Sequence, residues 1–217
     1  MTRSEIRDPL PVALDPRLRR ALTIVALAAT LVVITLGTLY FAGGTLGAFD
    51  NHAEPLAGPR PPWHDFAVLI DFCGEPIGST ILTAGAVAAC LVAHRVRMAV
   101  LTVLGVGLSV AATALLKPLV GRTIHGVYLS FPSGHTAFAT ALALLLALLA
   151  IDVLRLGTRT AAIVLVAMVL PAGAAMGWTE VVVSAHYPTD TVGGFCTALA
   201  VVPATAWLMG RVRIPRR

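Results

Sequence analysis

Long apolar stretches recur along the whole chain and limit what it can fold into. Of the 217 residues, 57% are hydrophobic and 12% are charged, whereas a soluble globular domain carries roughly 25% charged residues. Several stretches reach the ~20 apolar residues that a helix needs to cross a hydrocarbon core. A helix also satisfies its own backbone hydrogen bonds in that core. The sequence therefore predicts an all-α, polytopic membrane protein.

Six membrane-spanning helices are predicted, all within one domain. Their approximate bounds are residues 21–42, 78–92, 98–116, 135–154, 160–178 and 191–209. The first apolar run is longer than the roughly 7 to 15 residues of a signal-peptide core, so we interpret it as a membrane anchor. The chain then divides into an N-terminal tail (1–20), a six-span membrane domain (21–210) and a basic C-terminal tail (211–217).

Two connecting segments are less regular. Residues 66–75 are apolar but carry Asp71 and Glu75, so this segment either extends the second span or lies re-entrant in the membrane. Residues 43–65 are rich in glycine, proline and polar residues, which predicts an irregular external loop. The first sixteen residues, with three prolines, are predicted to form a flexible tail.

The placement of arginine and lysine predicts the orientation in the membrane. Thirteen of the 16 basic residues fall on one face of the predicted topology: in both tails, in the turn at Arg95 and Arg97, and in the turn at Arg155 and Arg159. Lysine and arginine accumulate in cytoplasmic loops near span ends. We therefore predict a multi-pass protein of the cell membrane with both termini cytoplasmic and the polar motifs on the extracytoplasmic side.

The composition argues against two other classes of site. The net charge of +5 and the pI near 9.7 come from arginines spread over short turns, so topology explains them better than a nucleic-acid partner does. The three cysteines are odd in number and have no paired spacing, so we expect neither a disulfide nor a cysteine metal site.

Three polar stretches lie where predicted spans begin or end, and all three fall on the same side. The first contains Lys117 and Arg122, the second is Pro132-Ser133-Gly134-His135, and the third contains His186 and Asp190. A lysine at a span end is often only an interfacial anchor, and a serine at a helix start is often only a cap. Their convergence on one side favours a shared site.

The second and third stretches have the chemistry of an anion site. The first backbone N–H groups of a helix lack partners, and the helix dipole is positive there, so the start of the fourth span suits a phosphate. In the third stretch, the four-residue spacing would put His186 and Asp190 on one helix face, or Pro188 begins the sixth span and leaves His186 just ahead of it. Asp190 can then hold one imidazole nitrogen of His186 and leave the other free as a nucleophile.

The order of these motifs on six spans resembles the type 2 phosphatidic acid phosphatase superfamily, which shares its core with vanadium haloperoxidases. The motifs that carry the resemblance are Lys117, Pro132-Ser133-Gly134-His135, and His186 with Asp190. The resemblance runs from about the third span to the sixth and identifies a divergent, bacterial-type integral membrane member. It implies a phosphoric monoester or diphosphate hydrolase that needs no cofactor and no metal.

The resemblance also implies roles for individual residues. His186 would attack phosphorus to form a phosphohistidine, and Asp190 would orient its ring. His135 would act as general acid and base. The groups that would bind the phosphoryl oxygens are Lys117, Arg122, Ser133 and the backbone N–H of Gly134.

The chain departs from the family pattern at two arginine positions. Ile124 and His125 stand where the first motif has Arg-Pro, and Thr179 and Glu180 stand where the third motif has Ser-Arg. Arg122 is a partial substitute for the first arginine. Glu180 would repel a phosphate unless it is turned away or paired with Arg122 or Lys117. Glu180 and His125 are therefore candidates for a modified pocket.

The predicted substrate is a lipid phosphate or diphosphate of the phosphatidic acid or polyprenyl phosphate type, with membrane lipids as the surroundings. A soluble phosphomonoester, and transfer instead of hydrolysis, remain open. One alternative is a weakened or inactive lipid-phosphate binder. Another is a metal site or small transporter, whose ligands would be His135, Glu180, His186 and Asp190.

Overall fold

The computed structural model describes residues 14–41, 47–53 and 63–211. In these ranges the chain forms eight helices and one pair of two-residue strands. The helices are α1 (Pro16–Leu39), α2 (Ala48–Ala53), α3 (His64–Phe72), α4 (Pro76–Val92), α5 (Val96–Val120), α6 (Gly134–Val153), α7 (Thr158–Val182) and α8 (Pro188–Arg211). The strands β1 (Thr123–Ile124) and β2 (Tyr128–Leu129) pair antiparallel between α5 and α6.

Five of the described helices, α1 and α5 to α8, are long and apolar enough to cross a membrane. The pair α3 and α4 meets the same criteria together, but it is bent by 57° at the break between the two helices. The all-α polytopic prediction is therefore confirmed. Residues 66–75 do not simply extend the second span, because α3 ends at Phe72 and α4 starts in a new direction at Pro76.

The helix α6 forms the centre of the bundle and packs against α5, α7 and α8. Its sequence is apolar around its whole circumference, and most of its residues are buried, as expected for a helix surrounded by others. By contrast, α1 packs along α8 and leaves large side chains such as Leu27 and Leu31 exposed. In a membrane protein these side chains face lipid.

Several predicted boundaries need correction. The region 43–65 is not irregular throughout, because it contains α2 and the first residues of α3. Helix α1 begins at Pro16, within the predicted N-terminal tail, and the carboxylate of Asp15 accepts a hydrogen bond of 2.8 Å there from the backbone N–H of Arg17. Residues 1–13 and 212–217 lie outside the described residues, so the remaining tail predictions stay predictions.

Candidate active site

The polar motifs lie together at one end of the bundle. Lys117 is in the last turn of α5, Glu180 is near the end of α7, and α6 and α8 begin at Gly134 and Pro188. The basic turns lie at the other end, where Arg95 pairs with Asp152 of α6. The fold therefore places the polar motifs and the basic turns at opposite ends of the bundle, as predicted. The assignment of one end to the cytoplasm stays a prediction.

The start of α6 is fixed by a helix cap and by contact with α8. The hydroxyl of Ser133 accepts a hydrogen bond of 3.2 Å from the backbone N–H of Thr136, and the backbone N–H of Ser133 donates to the carbonyl of Asp190 at 2.9 Å. A β-carbon at Gly194 would lie 2.2 Å from the Ser133 carbonyl oxygen. Glycine at this place in α8 thus allows the His135 segment to approach Asp190.

His186 lies two residues before α8, as Pro188 predicted, and its ring faces two carboxylates. Nδ1 is 3.6 Å from Oδ2 of Asp190, which is longer than a hydrogen bond, and Nε2 is 3.4 Å from Oε2 of Glu180. Asp190 is fixed in turn by a hydrogen bond of 3.0 Å from the backbone N–H of Tyr187. Burial lowers the pKa of His186, which favours the neutral form of its ring.

His135 faces the same carboxyl group from the other side. Its Nδ1 is 3.8 Å from Oε1 of Glu180, and its Nε2 is 3.8 Å from Oε1 of Glu75. Glu180 therefore lies between the imidazoles of His135 and His186. Lys117 is close enough to interact electrostatically with Glu180, although the described residues show no ion pair between them. The two histidines and Lys117 thus lie around Glu180 in one candidate site.

Arg122 lies beside this site in a fully buried position and does not pair with Glu180. One terminal nitrogen donates to Asp190 at 2.5 Å and to Thr189 at 2.7 Å, and the other donates to Asp50 at 2.6 Å. Of the ways in which Glu180 could avoid repelling a phosphate, a pair with Arg122 is therefore not the one that the described residues form. Both terminal nitrogens of Arg122 are occupied by protein oxygens, and its predicted direct contact with a phosphate stays an untested prediction.

Aromatic rings complete the surroundings of Arg122. The guanidinium carbon lies 3.6 Å from the ring centroid of Tyr40 and 4.5 Å from that of Tyr187. Asp50 also accepts a hydrogen bond of 3.0 Å from the backbone N–H of Thr189. The arginine therefore connects α2 to the start of α8 and fixes the carboxylate that faces His186.

Three acidic residues of this region were not predicted as site residues. Asp50 had no recognisable signal, since it lies in a segment rich in glycine and proline. Asp71 and Glu75 had a signal, because acidic residues within an apolar membrane segment are rare and usually functional.

His125, predicted for a modified pocket, is exposed, and its Nε2 lies 2.9 Å from the carbonyl oxygen of Ser184. It ties the β1–β2 hairpin to the end of α7.

Two comparisons with known proteins give matches to this chain. The family model of the PAP2 superfamily matches residues 109–214, which run from α5 through α8. A solved structure, described as a transmembrane PAP2-type phosphatidylglycerolphosphate phosphatase from Bacillus subtilis, superposes with a TM-score of 0.72. It shares 19% sequence identity, and the match covers 88% of this chain and 98% of that chain. A search of curated protein sequences finds no match to this chain.

Proposed function

Because this chain belongs to the PAP2 superfamily, we propose that it is a membrane phosphatase that hydrolyses a lipid phosphate or diphosphate through a phosphohistidine. The observation that carries the proposal is the approach of His135 and His186 to opposite sides of one carboxyl group, at the membrane end where Lys117 also lies. A neutral nucleophile, a second imidazole for proton transfer and a cation for the phosphoryl oxygens are the parts that this chemistry requires.

In the first step, Nε2 of His186 attacks phosphorus. An N–P bond forms as the P–O bond to the lipid breaks, and positive charge develops on the imidazole. Asp190 stabilises that charge from the side of Nδ1, and Arg122 fixes the Asp190 carboxylate without contacting the phosphoryl group. Asp190 therefore orients and stabilises the nucleophile, and Arg122 is a positioning residue.

His135 moves the protons. It protonates the leaving oxygen in the first step and takes a proton from the attacking water in the second, when the N–P bond breaks and inorganic phosphate leaves. Lys117, the Ser133 hydroxyl and the backbone N–H of Gly134 stabilise the phosphoryl oxygens at the start of α6. These steps need no metal ion of their own.

The membrane location favours a lipid substrate. The candidate site lies at the end of the spanning helices, the depth at which a phospholipid or a polyprenyl lipid presents its phosphate group. The related B. subtilis protein is described as acting on phosphatidylglycerolphosphate, which is a lipid of this class. From the distribution of arginine we propose that this end is extracytoplasmic and that both termini are cytoplasmic.

One distance favours the alternative of a binder without activity. Oε2 of Glu180 lies 3.4 Å from Nε2 of His186, so a phosphoryl group that reaches this nitrogen must displace the carboxyl group. If displacement does not occur, the protein binds lipid phosphates without cleaving them.

Phosphate release from lipid vesicles separates the two functions. The full-length protein would be reconstituted with phosphatidic acid, phosphatidylglycerolphosphate or a polyprenyl diphosphate, and inorganic phosphate would be measured beside a soluble phosphomonoester. The phosphatase predicts faster release from at least one lipid than from the soluble ester. Retention of lipid phosphate without release from any substrate would contradict the proposal and support the binder.

Substitution of Gly74 by alanine is expected to slow phosphate release by about 10- to 100-fold, because a misplaced catalytic group costs a factor of this order. A β-carbon at Gly74 would lie 2.1 Å from Cδ2 of the His135 ring, so the ring has to move. The matched control is Gly85→Ala in α4, where a β-carbon meets open space. The rate of Gly85→Ala should equal that of the parent, and equal rates for both variants would refute the proposed position of His135.

A further inference from the structure

A cluster of ligand-type side chains lies where α3 and α4 meet the start of α6. Asp71, Glu75 and His135 each offer one atom, and these atoms all lie within 4.8 Å of one another. Asp71 and Glu75 are one helical turn apart in sequence, at the bend between the two helices. Acidic side chains at membrane depth are costly unless they have a partner.

Glu180 supplies a second and independent observation. Its side chain is only 1% exposed, and within the described ranges its oxygens accept no hydrogen bond, apart from a proton that Glu180 could share with the neighbouring carboxyl group of Asp71. It points into the cluster, since Oε1 lies 3.8 Å from Nδ1 of His135 and the carboxyl group of Asp71 is its neighbour. A buried carboxylate in this state must be neutralised by a proton or by a cation.

The nearby cations do not provide that neutralisation. The terminal nitrogens of Arg122 are bound to Asp50 and Asp190, and Lys117 forms no ion pair with Glu180 in the described part of the chain. The Nε2 atom of His135 is also buried and lacks a hydrogen-bond partner among these residues. Several acceptor atoms therefore converge where the protein supplies few donors.

We propose that Asp71, Glu75 and Nε2 of His135 bind a divalent cation of the Mn²⁺ or Zn²⁺ type. Two carboxylates and one imidazole are ligands that suit these ions. A metal-bound histidine usually donates its other ring N–H to a carboxylate. Glu180, which faces Nδ1 of His135, lies in the position for that role.

Occupancy of this site has a consequence for the reaction, and this part rests on the proposed function. With the cation on Nε2, the ring keeps one proton at Nδ1, where it faces Glu180, and has no free lone pair with which to take up a second proton and become the imidazolium. The bound ion therefore removes the general acid and base, so cation binding and phosphate release exclude each other. The cation acts as an inhibitor at the extracytoplasmic end of the bundle.

Binding can be measured without any activity. Mn²⁺ alone would be titrated into the full-length, metal-stripped protein in detergent, and the free ion would be followed by electron paramagnetic resonance. The parent should bind one Mn²⁺, displaced by Zn²⁺, and Asp71→Asn and Glu75→Gln should each weaken binding by at least about 10-fold. Glu75 is half-exposed, so its substitution leaves the fold intact.

Asp65→Asn is the matched control, because Asp65 lies on the same helix as Asp71 with its side chain in solvent. It should bind Mn²⁺ like the parent. Lack of Mn²⁺ and Zn²⁺ binding by the parent, or equal affinity in parent, Asp71→Asn and Glu75→Gln, would overturn the site.

The activity assay then distinguishes the two proposals. Added Mn²⁺ should slow phosphate release by the parent. It should slow phosphate release by Glu75→Gln to a smaller extent. Mn²⁺ binding in a protein that releases no phosphate under metal-free conditions would refute the phosphatase and keep the site. Phosphate release from a protein that binds no Mn²⁺ would refute the cation site and keep the phosphatase.

Discussion

Substitution of His186 by alanine is expected to reduce phosphate release by at least about 1000-fold, because the nucleophile itself is removed. The ring packs between Glu180 and Asp190, and its Nε2 is the atom on the side of Glu180. The chain should still fold, since the backbone N–H of His186 bonds to the carbonyl of Glu180 independently of the side chain. The rate would be measured with the best lipid substrate of the parent.

His64→Ala is the control for this substitution. His64 begins α3, and its imidazole is near the solvent-exposed Asp65, outside the candidate site. This variant should release phosphate at the parental rate, and His186→Ala should still bind lipid-phosphate vesicles. Parental phosphate release by His186→Ala would contradict the assigned nucleophile.

Substitution of Arg122 by methionine is expected to destabilise the protein by about 3 to 5 kcal/mol, the usual cost when one partner of a buried ion pair is removed. Asp50 and Asp190 are both fully buried and would lose their cation. For a chain of this size the change corresponds to a fall in Tm of roughly 10 °C. Phosphate release should fall as well, because Asp190 is no longer fixed beside His186.

The control is Arg95→Met at the other end of the bundle. Arg95 pairs with Asp152, but its side chain is 39% exposed, and such pairs contribute on the order of 0 to 1 kcal/mol. Thermal unfolding of both variants in the same detergent gives the comparison. A Tm for Arg122→Met that equals the parental value would show that the buried ion pairs do not stabilise the start of α8.

Much of the fold could be predicted from the sequence because its signals are local. The length and apolarity of each stretch predict a membrane helix, and Pro188 predicts the start of α8. Ser133 is the N-cap of α6, as its place before a long apolar run indicated. Convergence of the motifs could also be predicted, because antiparallel helices of similar length bring alternate connections to the same side.

The partners of the charged residues could not be predicted, because they depend on contacts between distant parts of the chain. Arg122 bonds to Asp50, 72 residues away, which lies in a short helix without a sequence signal. The sequence placed Arg122 in the phosphate pocket, whereas the fold gives it two carboxylates. Likewise, the spacing of Asp71 and Glu75 says nothing about His135 until the bend between α3 and α4 is known.

The most direct test of the phosphohistidine mechanism is to trap the covalent intermediate. The full-length protein would be mixed with a lipid substrate carrying radiolabelled phosphate, quenched rapidly in base and digested. A phosphohistidine at His186 predicts label on the peptide that contains His186, stable in base and lost in acid, and none in His186→Ala. Rapid phosphate release by the parent without label on this peptide, or label that persists in His186→Ala, would contradict it.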